Sequence, residues 1–583
     1  MIAEASDAPH GLREALRIAP HLRVHAWALP ALLVLGVAAA LAETVGVGLG
    51  ALFLFAVLGR TDALAEGGGL LAAAHERLGG LFDGSSVMLA GLFLGIILIN
   101  AALIYAYQTA TAVAMNHIAE EMRDRVHETY VTVAYSHLQG RERGELINTL
   151  STETWGVADA AHAAARIGVN LCAIGVFGAG LVALSWRIAL TAALCAAASF
   201  AVQRLLSLPL RRLGGELLRE NQILAERMLV SLQGMRTLRV FAQEPYVLRV
   251  FSAASSNVRR LAVAAERIKA MVGPVGELAS LGAIVAIALV ASAWRIDTPT
   301  TVAAVMLLLR LQPHLREFES HRLALSGMGA SLRAVRETLD REGKPWPVDG
   351  TTTFAGLKRD IRFEAVSFSH DPRRPPSLDR ISFTIRKGGV TALSGPSGSG
   401  KSTIINLLLR LYEPDAGRIL VDGVDLLSID RRSWLERVAV AGQDVELIEG
   451  TVEQNIRLAR HDATLDDVRD ACAAAEILDD ILAIPEGFDA RIGPGGLSFS
   501  GGQRQRLGLA RALVRNPEFL ILDEALSALE PTLEDRIRAN IAVRMAGGTV
   551  LVISHRAGAA ADADAALRIE KGQMVTAAIS NAL

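Results

Sequence analysis

Long apolar segments alternate with charged ones from the N-terminus to about Leu325. Residues 27–58 contain no Lys, Arg or Asp, and Glu43 is their only ionisable residue. Residues 87–119 contain no Lys, Arg, Asp or Glu. Because a helix of about 20 residues crosses the hydrocarbon core of a bilayer, each segment is long enough to form a membrane span.

The same pattern predicts four further spans. Two of them form a hairpin that turns near Trp186, and two more follow the strongly basic region 204–269. By the positive-inside rule this region is cytoplasmic, as is the arginine-bearing N-terminal segment. The last span is interrupted by Arg310 and His314 after a short apolar stretch. These four spans are predicted at residues 167–186, 188–203 and 270–294 and from about residue 298.

Beyond residue 357 the pattern changes to short strands that alternate with helices, as in an α/β domain. Glycine and proline in the preceding stretch 343–350 give it the composition of a linker. We therefore predict a multidomain membrane protein with an all-α six-helix transmembrane domain and an α/β domain. The predicted boundaries are a cytoplasmic N-terminal segment at 1–26, a transmembrane domain at 27–325 with cytoplasmic connections at 116–166 and 204–269, a linker at 326–357 and the α/β domain at 358–583.

A glycine-rich loop follows the apolar segment 390–394 and precedes a helical pattern at 404–411. A strand, such a loop and a helix form the setting of a phosphate-binding P-loop, in which backbone N–H groups surround phosphate oxygens. Lys401 adds a positive charge, and the Ser402 hydroxyl suits Mg²⁺. The alternative is a Gly-Ser-rich surface turn. The loop residues are Gly395, Pro396, Ser397, Gly398, Ser399, Gly400, Lys401, Ser402 and Thr403.

A second apolar strand pattern, residues 519–522, ends in two carboxylates, Asp523 and Glu524. A strand of this form delivers an aspartate towards Mg²⁺ in P-loop proteins. Glu524 would then face the attacking water, which a carboxylate can polarise as a general base. Taken alone, the two residues are also explained as solvated acids at a strand end.

Between these two motifs, the sequence Phe499-Ser500-Gly501-Gly502-Gln503 resembles the signature of ABC ATPases. The order of the motifs is that of the family, and the chain resembles a bacterial ABC half-transporter of the six-helix exporter type over almost its whole length. The resemblance implies an α/β P-loop ABC ATPase domain that binds ATP and Mg²⁺. It also implies a dimer, because each ATP in this family lies between the P-loop of one protomer and the signature of the other.

The resemblance assigns roles to further residues. Gln443 occupies the Q-loop position, His555 the switch-histidine position that contacts the γ-phosphate, and His370 the adenine-stacking position. The implied catalytic residues are Glu524, His555 and Lys401, and the implied Mg²⁺ ligands are Ser402, Gln443 and Asp523. The implied nucleotide contacts are the nine loop residues given above with His370, Gln443, Ser500, Gly501, Gly502 and Gln503.

Several positions depart from the family pattern. His370 replaces an aromatic residue, Phe499 replaces a leucine, and Glu530 in the D-loop replaces an aspartate. Pro494-Gly495 replaces a charged pair before the signature. We expect the Phe499 change to be structural, and the others to bear on nucleotide affinity, on contact between the two ATP sites and on the link to the membrane domain.

Two segments of the cytoplasmic connections, residues 143–148 and 232–237, resemble the coupling regions of the family. We expect ATP to close the catalytic domains of a homodimer and so turn an inward-open cavity outward. The transported molecule is expected to be amphipathic, with lipid, peptide and drug all open. An ATP-gated channel or regulator and an importer subunit are the competing functions. The candidate cavity residues are Glu43, Asn100, Gln108, Asn170, Glu277 and Arg310.

Composition narrows the class of partner. Apolar residues make up 51% of the chain, which favours contact with lipid, and the net charge of −2 provides no basic domain for nucleic acid. Cys172, Cys195 and Cys472 lack the spacing of a disulfide framework or a zinc site. The N-terminal segment 1–26 carries acidic side chains, unlike a transit peptide, so we expect it to be retained. Abundant Ala, Gly and Arg indicate a bacterium, hence its inner membrane.

Overall fold

A computed structural model of the chain describes residues 10–18, 20, 28–58, 86–141, 143–371, 373–442, 445–493, 499–527, 529–554 and 563–579. The chain divides into two compact units. The helical unit comprises Met1–Glu128 and Arg143–Asp340, and the α/β unit comprises Thr129–Glu142 and Arg341–Leu583. The boundaries predicted for the domains stay predictions, although the structure groups residues 129–142 with the α/β unit.

The part of the chain up to residue 340 is helical, with long apolar helices and a few short ones. A π-helical turn, Thr149–Glu153, joins two of them. In chain order they are α1 (His10–Ile18), α2 (Ala28–Val57), α3 (Ser86–Thr132), α4 (Tyr135–Gln139), α5 (Arg143–Asn148), α6 (Thr154–Leu184), α7 (Trp186–Gln233), α8 (Met235–Val240), α9 (Glu244–Ala293), α10 (Thr298–Gly327) and α11 (Gly329–Leu339).

Among the described residues, four helical segments are long and apolar enough to cross a bilayer, namely Pro30–Val57, Val87–Thr132, Gly144–Leu184 and Glu244–Ala293. The predicted fourth span corresponds to a shorter apolar segment, Trp186–Val202. The predicted sixth span lies in α10, which stays helical past its charged residues. The prediction of an all-helical membrane domain is thereby confirmed.

Local chemistry explains where these helices begin and end. Ser185 is extended (φ −163°, ψ 118°), which separates α6 from α7 at the predicted hairpin turn. Asp297 begins α10 because its carboxylate accepts a hydrogen bond from Thr300 N at 3.0 Å, and Pro299 follows in the first turn. Buried apolar residues of α6, α7, α9 and α10, such as Phe177 and Ile287, form one core.

Helix α11 lies within the segment predicted as a linker. It is held by packing rather than by its own sequence pattern, since Leu332 and Val335 are buried and α1 packs against it. The carboxylate of Glu14 on α1 accepts from Arg336 Nε of α11 at 3.0 Å and from Arg17 Nη1 at 3.1 Å. A contact between residues so far apart in the sequence is not visible in a local pattern.

The α/β unit contains a six-stranded and a four-stranded sheet. The strands are β1 (Asp360–Phe368), β2 (Leu378–Arg386), β3 (Val390–Ser394), β4 (Ala416–Val421), β5 (Val424–Asp425), β6 (Val438–Ala441), β7 (Gly450–Thr451), β8 (Arg491–Ile492), β9 (Phe519–Asp523), β10 (Thr549–Ile553), β11 (Ala565–Glu570) and β12 (Gln573–Ile579). The six-stranded order is β12-β11-β3-β10-β9-β6, and the four-stranded order is β2-β1-β4-β5.

The helices of this unit cover the sheets and bury their apolar faces. They are α12 (Lys401–Leu408), α13 (Arg431–Leu435), α14 (Val452–Arg457), α15 (Leu465–Ala474), α16 (Leu478–Leu482), α17 (Gly501–Leu513) and α18 (Pro531–Arg544). Strands β6, β9, β10, β3 and β11 run parallel, so their carboxyl ends meet at one edge. In open parallel sheets ligands bind at this edge.

Candidate nucleotide-binding site

The glycine-rich loop connects β3 directly to α12 at the carboxyl edge of the sheet. Gly400 is the N-cap of α12 in the left-handed region (φ 108°). A Cβ atom there would lie 2.7 Å from Ser377 O and 2.7 Å from Leu378 Cδ2, so no other residue fits without displacement. Because glycine tolerates this conformation, the loop can turn its backbone N–H groups inwards, next to the positive end of the α12 helix dipole.

Lys401 is folded over this loop. Its Nζ donates to Gly395 O at 2.8 Å and to Pro396 O at 2.9 Å. Burial lowers the pKa of Lys401, and the nearby carboxylates of Glu524 and Asp523 oppose the shift. Ser399 Oγ is buried without a hydrogen-bond partner among the described residues. A buried cation and an unpartnered hydroxyl in one glycine-rich loop fit a phosphate group, whose oxygens would accept from both.

The two acidic residues reach the same edge because β10 lies between β3 and β9. Ile553 of β10 is opposite Leu393 of β3 and Asp523 of β9. Glu524 turns the chain sharply at the strand end, with φ 51°, and its N–H donates to Ile553 O at 3.1 Å. Ser527 Oγ donates to Glu524 O at 2.8 Å and fixes the turn. A residue other than glycine costs free energy in the left-handed backbone region, and such strained residues cluster at functional sites.

The signature sequence forms the start of α17. Ser500 Oγ accepts from Gln503 N at 3.2 Å, and Gln503 Oε1 accepts from Ser500 N at 3.0 Å, which makes a reciprocal capping box. Gln503 Nε2 donates to Asp480 Oδ1 at 2.8 Å. Ser500 and Gly501 are exposed. This rigid and exposed helix N-terminus presents backbone N–H groups of the kind that bind anions.

His370 lies in a cluster of aromatic rings beside the loop. Its ring is edge-on to Phe368 (centroids 4.9 Å apart, 88°) and to Tyr412 (5.2 Å, 83°), which stack on each other at 5.0 Å. His370 Nε2 lies 3.4 Å from Thr403 Oγ1. These contacts orient an exposed imidazole whose position suits a flat base.

Some of the predicted site residues lie outside the described residues. They are Gln443, His555 and the pair Pro494-Gly495. Among the other departures, Phe499 is 6% exposed within the apolar core of the α/β unit, as expected of a structural change. Glu530 is exposed at the N-cap of α18, where its side chain makes no capping hydrogen bond.

A buried asparagine that belongs to no recognised motif holds the loop after β6. Asn455 is fully buried, and its Oδ1 accepts from Ile448 N and Arg511 Nη2, each at 2.9 Å. Its Nδ2 donates to Ile448 O at 2.9 Å and Thr451 O at 3.0 Å. Arg511 of the signature helix also donates to Glu446 O at 2.9 Å. The network ties the segment after the Q-loop to the signature helix.

A contact between the first cytoplasmic connection and Tyr412, in the aromatic cluster beside the P-loop, was not predicted either. Helix α4 contributes Tyr135, whose ring centroid lies 6.4 Å from that of Tyr412, and Gln139 Oε1 accepts a hydrogen bond from the Tyr412 hydroxyl. The predicted coupling segment 143–148 forms α5 and is grouped with the helical unit. Its coupling role stays a prediction.

The predicted cavity residues of the helical unit separate into two groups. Glu43, Asn100 and Arg310 line one cavity of about 220 Å³ between α2, α3 and α10. Asn170 is buried beside it at 1% exposure. Gln108 and Glu277 are exposed on the surface of the single chain. The structure thus brings four of the six predicted polar residues near one another.

Two protein-family models match this chain. Residues 378–527 match the family model described as ABC transporter, and residues 72–312 match the ABC transporter transmembrane region. An ATP-dependent lipid A-core flippase of Thiobacillus denitrificans is 30% identical over 491 residues, which cover 83% of this chain and 84% of the relative. The chain belongs to the ABC transporter family. It is an ABC half-transporter of the exporter type.

A second relative and a solved structure agree with this family assignment. The heterocyst differentiation ATP-binding protein HepA of a Nostoc species is 29% identical over 466 residues, 80% of this chain and 77% of the relative. A solved structure of a bacterial Atm1-family ABC exporter with ATP bound has the same fold, with a TM-score of 0.72 and 24% identity over 96% of each chain.

This half-transporter is an ATP-hydrolysing exporter. It is a multi-pass protein of the bacterial inner membrane, with its ATPase domain in the cytoplasm, as its family and apolar helices indicate. The prediction of an ATP-driven exporter is confirmed, and the gated channel or regulator is not favoured.

We expect Asn455→Ala to destabilise the α/β unit by about 3 kcal/mol, because buried groups of Ile448 and Arg511 lose their partners. Thermal unfolding of the purified full chain measures the effect. Asn540→Ala is the matched control, because Asn540 is only partly buried and its amide makes two hydrogen bonds, to Ala474 O and Glu476 Oε1. Equal unfolding midpoints for the two variants would contradict the structural role of Asn455.

Proposed function

We propose that two copies of this half-transporter form a homodimer with two composite ATP sites, and that ATP binding and hydrolysis drive an amphipathic, lipid-like molecule outwards across the inner membrane. The observation that carries the proposal is the exposed N-terminus of the signature helix, where Ser500 and Gly501 are open to an anion bound by another chain. The same chain carries a P-loop at the start of α12. A second copy supplies the complementary half to each.

An exposed apolar helix tip also supports the dimer. Helix α8, between the long helices α7 and α9, and the residues next to it expose Val240 (71%) and Phe241 (67%). Apolar side chains clustered at a helix tip usually mark an interface. This tip contains the predicted coupling segment 232–237, and we propose that it docks on the partner protomer.

Each residue at the sheet edge has its own role in phosphoryl transfer. The backbone N–H groups of the loop 395–403, other than that of Pro396, and the Lys401 ammonium hold the β- and γ-phosphates, and His370 orients the base. Ser402, Asp523 and Gln443 would hold Mg²⁺, which neutralises charge on the phosphates when bound. Glu524 orients and polarises the attacking water, and His555 contacts the γ-phosphate. Signature residues of the partner close the site.

The relatives favour lipid over peptide or drug as the transported class. Several of them are named ATP-dependent lipid A-core flippases, including those of Thiobacillus denitrificans and Chromobacterium violaceum. The cavity between α2, α3 and α10 combines the polar Glu43, Asn100 and Arg310 with apolar residues such as Phe93 and Leu309. A molecule with a polar head and an apolar tail matches this lining.

Glu524→Gln is expected to keep ATP binding and to lower turnover at least a hundredfold, because the amide cannot act as a base towards water. Nucleotide binding and phosphate release by the full chain in lipid nanodiscs measure the two effects. Glu453→Gln, which breaks an ordinary ion pair with Arg457, should leave turnover within twofold. Wild-type turnover in Glu524→Gln would refute the assigned base.

Composite sites predict complementation between two inactive variants. Lys401→Ala removes the P-loop cation of one variant chain, and Ser500→Arg blocks the signature of the other. Each variant alone should be inactive, whereas a mixed dimer keeps one intact site of two, so dimers that contain both variants should show roughly half of the wild-type activity. ATPase activity of dimers purified through two different affinity tags checks this. No recovery in mixed dimers would contradict a signature that acts in trans.

Tyr412→Phe tests whether α4 reports nucleotide binding to the membrane helices. The change removes only the hydroxyl that donates to Gln139 and leaves the stack with Phe368 intact. One hydrogen bond is worth about 0.5–1.5 kcal/mol, so stimulation of ATPase by lipid substrate should fall roughly three- to tenfold while ATP affinity stays unchanged. Gln139→Ala should behave alike, and the exposed Tyr246→Phe should not. Unchanged stimulation in both test variants would exclude this route.

A further inference from the structure

Polar side chains from three helices form a connected cluster within the membrane spans. Glu43 lies on α2, Asn170 on α6, and Arg310, His314 and Glu317 on α10. Arg310 Nη1 lies 3.0 Å from Glu43 Oε1. The ring nitrogens of His314 lie 3.8 Å from Glu43 Oε2 and 2.9 Å from Asn170 Oδ1. Burying ionisable groups at membrane depth costs free energy, so their presence in this chain indicates a function.

Asn170 determines which nitrogen of His314 carries a hydrogen. The Asn170 Nδ2 group donates to Glu317 Oε2 at 3.4 Å. Because an ionised carboxylate only accepts hydrogen bonds, the amide must present its nitrogen to Glu317 and its oxygen to His314. The Asn170 amide oxygen, like the carboxylate, can only accept a hydrogen bond. His314 Nδ1 therefore carries a hydrogen.

The other ring nitrogen, Nε2, faces the carboxylate of Glu43. A neutral imidazole turns a lone pair towards Glu43, whereas a protonated one turns an N–H group towards it. With neutral His314 the cluster carries no net charge, because Arg310 balances Glu43 and Arg166, 3.8 Å from Glu317, balances Glu317. One added proton replaces a repulsive contact with an ion pair and gives the cluster one positive charge.

Water can reach this pair. Glu43 and Arg310 line the cavity of about 220 Å³, well above the roughly 10–15 Å³ of such accessible space that one water needs. Asn100 Oδ1 is buried beside it without a partner among the described residues, and a water molecule would satisfy it. On its other side the imidazole stacks on Phe177, with centroids 5.5 Å apart, which fixes the ring.

We propose that Glu43 and His314 form a proton-binding site in the membrane half, which is filled in the arrangement described here and emptied when α2 moves away from α10. The site rests on the alternating access proposed above. It makes the proton a second ligand of the transport cycle beside ATP. Imidazole suits this role because Nε2 can gain or lose a proton while Nδ1 keeps its hydrogen bond to Asn170.

The positions of the charges give the direction of the linkage. Glu43 is the α2 member of the pair, whereas both of its cationic partners, Arg310 and His314, lie on α10. When the helices separate, Nε2 loses the carboxylate and its proton passes to cavity water, while Glu43 becomes hydrated. By linkage, a lower pH favours the arrangement in which α2 and α10 meet at this site.

A count of protons tests the proposal directly. The full chain in phosphatidylcholine nanodiscs, in weakly buffered solution with an indicator dye, is mixed with Mg²⁺ and a non-hydrolysable ATP analogue. We expect the wild type to differ from His314→Gln, and from Glu43→Gln, by up to one proton per chain. His162→Gln, a histidine of α6 outside the pair, should match the wild type.

Two further readouts separate the possible failures. Spin labels on cysteines introduced in α2 and α10, in a variant without the native cysteines, report with and without the analogue whether these two helices move apart. If their separation is unchanged, the proposed alternating access fails. If the separation changes and all four proteins bind the analogue while releasing or taking up the same number of protons, the proton site is refuted and the exporter function stands.

The pH profile of ATPase activity is an independent measurement. The ratio of wild-type to His314→Gln turnover cancels titrations in the ATP site, because both proteins share that site. We expect the ratio to change at least threefold between about pH 5 and 8, and the ratio of wild type to His162→Gln to stay flat. A flat ratio for His314→Gln and for Glu43→Gln would overturn the proposal.

Discussion

The parallel register of β3, β10 and β9 is the constraint on which the catalytic chemistry depends. It places the ends of three strands from distant parts of the sequence at one edge, with Ile553 level with both Leu393 and Asp523. The phosphate loop leaves one strand and the acidic turn leaves another. Since both are anchored by strand hydrogen bonds, the sheet positions the cationic Lys401 and the carboxylates, and their place does not depend on their attraction to each other.

The sequence was most informative where chemistry is local. The P-loop, the acidic strand and the signature are short contiguous motifs, and the apolar segments have the length or hydropathy of a span. Contacts between distant residues were not predictable. The break between α3 and α4 at Ala134 illustrates the reason, because its N–H donates to Pro345 O, which lies far along the chain beyond the membrane helices. The local sequence pattern there predicts an uninterrupted charged helix, so the break was not predictable.

Asn455 and Tyr412 show the same limitation. An asparagine inside a short helix and a tyrosine after a P-loop helix have no distinguishing local pattern. Their importance follows from Arg511, which is brought from the signature helix, and from Gln139, which is brought from the first cytoplasmic connection. In both cases a single polar side chain joins a segment of the α/β unit to a distant part of the chain. The signal for such residues lies in three-dimensional contacts.

The membrane cluster opposes the separation of α2 from α10. An ionisable group at the centre of a span costs about 2.5–3.5 kcal/mol on insertion scales, so separating Glu43 from Arg310 and His314 without water would strongly oppose movement of α2. A shift between two conformations from 1:99 to 99:1 requires about 5.5 kcal/mol of differential binding. Hydration of the cavity and loss of one proton lower this opposition. ATP binding then has to supply only the remainder, which makes a titratable pair at this position an advantage for a reversible pump.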